Sequence, residues 1–379
     1  MPWPNRHVEG SPAHGATGTP RYCHCRGYAR RVSREAAARD RDWEGVRLHV
    51  VTGKGGTGKT NVAAALALAL AAGGRRTLLV ECEGRQGLAR LFDAPPLPYA
   101  ERRIAVAADG GMVYGLAFDP EEALLEYLDL YYHLGRAGRA LRRLGAIDFA
   151  TTIAPGVRDV LLTGKAYEAT RRRISSRASR TAAVPPNATD PDAYVYDAVV
   201  MDAPPTGRVA RFLNVNSEVA GLARVGPVNK QAESIMRLIR SAQTVVHVVT
   251  LLEEMPVQET LDGIDELRAL DLPVGGIIVN RTHQPLLSAS DLKTAAGGRL
   301  DVAAISRVLK TVGLQADDAT ATALCDEATE HAQQIGIERR LRNRLKAAGT
   351  PVYQLPELAG LDIGRLYVMA AELARQGAA

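Results

Sequence analysis

Apolar residues along the chain follow two alternating patterns. Short runs at 47–51, 77–82, 195–201, 244–250, 277–280 and 352–355 are apolar almost throughout, which is the signature of strands buried on both faces of a sheet. Longer stretches that read as helices lie between and after them, at 60–72, 121–134, 210–222, 231–240, 257–270, 319–347 (long and charged) and 363–375, with two glycine-containing ones at 137–144 and 157–169. In the second of these, Leu124, Leu125, Leu128 and Tyr131 share one side. Two further short strands are expected at 104–107 and 113–118, around the turn Asp109-Gly110-Gly111. The first run, the helix stopped by Gly73-Gly74 and the second run form a strand–helix–strand unit, so the sheet is parallel with a right-handed crossover. The predicted class is α/β: a mostly parallel, doubly wound sheet with helices on both faces and a helical insertion subdomain.

The rest of the chain sorts around that frame. Residues 1–44 are rich in Pro, Gly, Arg and Ala without apolar periodicity, and read as a disordered basic extension with a short exposed helix at 30–41. Residues 45–379 form one domain, in which 119–173 and 208–240 make the helical subdomain and 174–193, rich in Arg, Ser and Pro, is a mobile loop.

The candidate chemistry sits where the first strand meets the first helix. Gly53-Lys54-Gly55-Gly56-Thr57-Gly58-Lys59-Thr60-Asn61 fits the phosphate-loop spacing between a strand and a helix. Glycines let the backbone turn left-handed and bring N–H groups against phosphate oxygens. The helix start adds unpaired N–H groups and the positive end of a dipole. Lys59 is placed for the β- and γ-phosphates and the Thr60 hydroxyl for Mg²⁺. The alternative is a glycine-rich turn without a ligand. His49, inside the first strand, reads as a packed core or edge histidine.

Composition narrows the function further. No apolar run is long enough for a membrane span, and residues 1–30 hold no signal-peptide core. The net charge of +5 is concentrated in residues 1–46, where eight arginines face five acidic residues, so the folded part has no basic footprint for nucleic acid. Cys23, Cys25, Cys82 and Cys325 include no C-x-x-C pair, and Cys23-His24-Cys25 lacks the second pair a zinc site needs. Free thiols in a cytoplasmic setting are the expectation.

The form Lys54-Gly55-Gly56-x-Gly58-Lys59-Thr60 resembles the deviant Walker A loop of dimeric P-loop ATPases that include ArsA, the tail-anchored-protein-targeting ATPases, MinD and ParA. In that class the early lysine, here Lys54, reaches across a dimer interface to the partner's nucleotide. Asp202-Ala203-Pro204-Pro205-Thr206-Gly207 resembles the ArsA-family switch, which implies Asp202 as the Mg²⁺-linked acid and Gly207 as the backbone that approaches the γ-phosphate. Glu83 falls where the family places a water-orienting aspartate, one methylene longer, with Gly84, Arg85, Gln86 and Gly87 replacing the rest of that loop. By the same resemblance Asn280 reads adenine and Pro356-Glu357-Leu358 covers it. The large insertion favours the ArsA branch over MinD and ParA, and the C-terminal helix, with only Arg365 and Arg375, lacks a MinD-like membrane anchor, so membrane contact is at most peripheral. Two family features are missing: the dimer-bridging zinc cysteines and a methionine-rich groove for hydrophobic tails. The resemblance implies ATP and Mg²⁺ as cofactors, a second ArsA-like subunit (a homodimer or a paralogous heterodimer) and an unidentified client on the helical subdomain. The rival reading is a nucleotide-regulated scaffold with little turnover.

Overall fold

β1 (Leu48–Gly53) is buried along its whole length. It leads through the glycine loop into α1 (Lys59–Ala71), whose residues from Val62 onward are all buried. A helix apolar on every side must be enclosed, and α1 is: it lies between the sheet and the last helix, α11 (Ile363–Arg375). The structure, a computed structural model, describes residues 42–84, 86–132, 155–174, 190, 192–222, 227–314, 317–358, 360 and 363–379.

After β2 (Arg76–Glu81) come the short helix α2 (Gly87–Leu91), β3 (Arg102–Val106) and β4 (Met112–Ala117), and then α3 (Pro120–Tyr132) and α4 (Pro155–Arg171). β5 (Ala198–Asp202) follows, then α5 (Thr206–Leu222), α6 (Pro227–Ile239), β6 (Thr244–Thr250), α7 (Glu254–Ala269) and β7 (Val274–Thr282). Helices α8 (Ala289–Ala296), α9 (Val302–Thr311) and α10 (Asp318–Lys346) precede β8 (Val352–Pro356) and α11. The described strands form one eight-stranded sheet in the order β3–β4–β2–β5–β1–β6–β7–β8. Only the β3–β4 pair is antiparallel; β1 runs parallel to both β5 and β6.

Each central strand feeds two cores by alternation. Leu48, Leu78, Val80, Val199, Met201, Val246 and Val248 face α4, α5 and α6. Val51, Leu79, Val200, Val249 and Ile278 face α1 and α11 on the other side. Helices α4–α6 therefore share the sheet's core: Leu162 and Ala166 of α4, Phe212 and Leu213 of α5, and Ile235 and Met236 of α6 belong to it.

Several sequence expectations shift. Asp42 and Trp43, assigned to the extension, are part of the fold: Tyr353 Oη donates to Asp42 Oδ2 at 2.7 Å and accepts from Trp43 Nε1 at 2.9 Å. The stretch 174–193 is closed at its base, where the Ile174 N–H donates to the Ala193 carbonyl at 3.0 Å. α2, α8 and α9 have no counterpart in the sequence reading. The expected helices at 30–41 and 137–144, and most of 174–193, lie outside the described residues.

Candidate active site

The glycine loop is shaped by the protein as well as by any ligand. Gly58 sits at the amino end of α1 with φ 87°, and a Cβ there would stand 2.4 Å from Asn280 Nδ2. A Cβ on Gly53 would stand 2.1 Å from the Val249 carbonyl oxygen. Gly55 and Gly56, by contrast, are exposed and face open space, Gly56 with φ 88°. The loop is braced from inside: the buried Thr57 hydroxyl donates to the Lys54 carbonyl at 2.8 Å, and Asn280 Nδ2 donates to the Thr57 carbonyl at 2.9 Å. Lys59, Thr60 and Asn61 are half-buried at the start of α1.

Two of the predicted residues meet directly. The Thr60 hydroxyl donates to Asp202 Oδ2 at 2.7 Å, joining the phosphate loop to the carboxyl end of β5. Burial raises the Asp202 carboxyl, and the Thr60 hydrogen bond and Lys59 only partly offset this, so it titrates at about 6. The following residues are tied to β1, where the Ala203 N–H donates to the Val51 carbonyl at 2.9 Å and the Thr52 hydroxyl to the Pro204 carbonyl at 2.7 Å. Gly207 lies in the first turn of α5 with nothing within 4 Å of where its Cβ would stand.

Glu83 is half-buried in the loop after β2, close enough to Asp202 for its charge to raise that carboxyl. The fully placed acid of this loop is its neighbour Glu81, which the sequence reading passed over. Glu81 is the register partner of Asp202, and its two carboxylate oxygens accept from the N–H groups of Gly87 at 3.0 Å and Leu88 at 3.3 Å. It caps α2, a role its place at the end of an apolar strand could have signalled. Between them lies Cys82, whose thiol burial pushes well up, keeping it protonated.

Lys54 points along the surface of its own chain. Its Nζ donates to Glu259 Oε1 of α7 at 2.7 Å, and the two side chains are 33% and 38% exposed. Asn280 is buried beneath the loop, with Oδ1 accepting from the Arg281 N–H at 3.0 Å. Pro356 ends β8, and Leu358 packs partly against the α1 side of the core. The Glu357 N–H donates to the Thr282 carbonyl at 3.0 Å, and its carboxylate lies 3.3 Å from His283 Nε2. The structure thus gathers Gly53–Asn61, Asp202 and Asn280 around one loop, with Glu83 beside Asp202.

The Thr60–Asp202 pair fits a hydrated divalent cation, since Mg²⁺ takes few protein oxygens and keeps waters and phosphate oxygens as its other ligands. A buried carboxyl that burial alone makes costly to ionise is what such a cation would stabilise. Among the described residues no group of three or more His, Cys, Asp or Glu side chains is disposed to hold a metal by itself. No described helix is long and apolar enough to cross a membrane.

Comparison with known proteins agrees with this geometry. The family described as anion-transporting ATPase (ArsA) matches residues 46–242, the segment from β1 through the glycine loop and Asp202 to just past α6. ATPase BagA of Mycobacterium tuberculosis is 52% identical over 334 residues, covering 88% of this chain and 94% of its own length. The arsenical pump-driving ATPase of Escherichia coli is 25% identical over 247 residues, covering 60% of this chain and 38% of its own. ATPase ARSA1 of Chlamydomonas reinhardtii is 24% identical over 322 residues, 70% of this chain and 39% of its own. With its glycine loop at the carboxyl end of a parallel sheet and its matched segment spanning that loop, Glu83 and Asp202, the chain belongs to the anion-transporting ATPase (ArsA) family and is an ATPase.

Proposed function

We propose that the chain is an ATP-driven dimeric switch of the cytoplasm, coupling hydrolysis to a client held by the helices that share the α4–α6 side of the core. The observation that carries the reading is the Thr60–Asp202 hydrogen bond, which joins the two halves of a Mg²⁺–nucleotide site. The Gly53–Asn61 backbone cradles the phosphates of ATP and Lys59 neutralises them. Thr60 and Asp202 would hold Mg²⁺, which supplies charge neutralisation across the β- and γ-phosphates when bound. Glu83 orients the attacking water, and Gly207 carries the change at the γ-phosphate into α5. Asn280 and the Pro356–Leu358 turn border the adenine.

In this reading Lys54 leaves Glu259 to complete the site of a facing subunit, either a second copy or a paralogue. An exposed ion pair of this kind is worth about 0–1 kcal/mol, so the exchange costs little. The longer Glu83 side chain favours slow turnover alone, which keeps a weakly active scaffold subunit as the second reading. Calorimetry and phosphate release test both. Lys59→Ala should abolish ATP binding, whereas Lys54→Ala should spare binding and lower turnover at least about tenfold. Retained micromolar affinity in Lys59→Ala would overturn the site, and full turnover in Lys54→Ala would overturn the shared-site dimer.

A further inference from the structure

The loop that carries Glu83 is held from an unexpected direction. Its first residue, Cys82, is gripped on both sides, and the peptide it forms with Glu83 is held through its carbonyl. The Cys82 N–H donates to the Asp202 carbonyl at 3.3 Å. The Cys82 carbonyl accepts from Arg158 Nη2 at 2.8 Å. Arg158 belongs to α4, a helix far from the phosphate loop in sequence and outside the motif. A carbonyl fixed by a charged donor sets the plane of its peptide, and that plane sets the backbone direction from which the Glu83 side chain departs.

The same turn of α4 also touches the switch helix. Asp159, next to Arg158, is raised by burial, while Arg208 of α5 and then Arg158 and Arg211 act to lower it. One turn on, the Thr163 hydroxyl accepts from the buried Asn216 Nδ2 of α5 at 2.8 Å. α4 is thus bonded at its amino half to both the β2 loop and α5, the helix that starts at Thr206-Gly207.

We infer that Arg158 is a positioning residue that sets the Glu83 loop for hydrolysis and makes α4 the mechanical link between the helical layer and the chemistry. Arg158 acts on the loop's backbone and leaves the phosphate-binding residues alone. A movement of α4 when a client binds this layer shifts the Cys82 carbonyl and with it Glu83, so turnover responds while nucleotide affinity does not. The inference rests on Glu83 as the water-orienting group.

Steady-state kinetics on Arg158→Ala, Glu83→Gln and the double variant test it. Arg158→Ala should lower kcat by about tenfold or more with KM for ATP changed less than about twofold, because a misplaced catalytic group costs rate and not binding. Arg158→Lys, which keeps a shorter donor, should recover part of the loss. In the Glu83→Gln background, Arg158→Ala should add nothing. Wild-type kcat in Arg158→Ala, or a rise in KM equal to the fall in kcat/KM, overturns the inference while leaving Glu83 in place. Full additivity in the double variant overturns the route through Glu83. Wild-type kcat in Glu83→Gln removes the reading beneath it. If Arg158→Ala melts too low to assay, Arg158→Met, which keeps the packed stem without the donor, is read by the same criteria.

Discussion

Gly58 is under two independent constraints, and they make it the most sensitive position of the loop. Its left-handed φ disfavours any side chain, and a Cβ would push Asn280 off the Thr57 carbonyl it holds. Gly58→Ala should therefore destabilise the protein by about 1–3 kcal/mol, from strain and from the broken brace. Gly55 has neither constraint, so Gly55→Ala should change stability by less than about 0.5 kcal/mol. Urea unfolding without nucleotide measures both; equal effects would show that the loop is not braced by Asn280. The contrast marks what a sequence can disclose about single residues. The Gly-Lys-Thr spacing is local, so the glycine loop between β1 and α1 was legible, and Asp202 entered through the resemblance of its stretch to the ArsA-family switch after an apolar strand. The Asn280–Thr57 contact joins residues 223 apart, and no local pattern announces it. Glu259 and Arg158 stayed hidden for the same reason, each being an ordinary exposed-helix residue in sequence.

Among the elements, strands were legible where burial on both faces made them apolar throughout, as in β1, β5 and β6. α8 and α9 escaped notice because their buried positions are few: Leu292 and Ala295 in one, Ser306 in the other. The far end of α4 is secured by a device that hydropathy cannot register. Just beyond the helix, Arg172, with a side chain only 1% exposed, donates to Glu101 at 2.7 Å ahead of β3 and to Glu168 one turn back. Tyr196 Oη also donates to Glu101 at 2.7 Å. Burial works to raise the Glu101 carboxyl, but these donors outweigh it and hold it below its ordinary value. Removing one partner of a buried pair strands the other charge. Arg172→Met should thus cost about 3–5 kcal/mol in thermal or urea unfolding. Adding Glu101→Gln should return part of that loss. A cost under about 1 kcal/mol would mean the pair is solvated and does not anchor α4.

At the scale of the whole molecule, the sheet separates two functions along the same strands. The carboxyl ends of β1 and β5 carry the phosphate loop and Asp202, while nearer the amino end of β1 lies a buried histidine pair. His49 Nδ1 is 3.1 Å from His247 Nε2 on the neighbouring strand, and the Gly276 N–H donates to His247 Nδ1 at 3.2 Å. The Gly276 bond fixes the proton of His247 on Nε2, from which it is donated to His49, so both rings are neutral. Burial lowers His49 to about 4. It also takes His247 well below its ordinary value, helped by His49. In the unfolded chain both titrate near 6.5, so as pH falls below that value the unfolded chain takes up protons that the folded one refuses. Their contribution is therefore fully kept above about pH 7 and lost on acidification, at up to about 1.4 kcal/mol per pH unit for each ring. Between pH 7 and pH 5 the two should remove about 3–4 kcal/mol of unfolding free energy, read from urea midpoints at the two pH values. The double variant His49→Gln, His247→Gln should lose that part of the pH dependence even if it starts less stable. Identical pH dependence in the two proteins would mean that the pair is hydrated and protonates in place, and that the amino-terminal half of the sheet is open to solvent where its packing shows it closed.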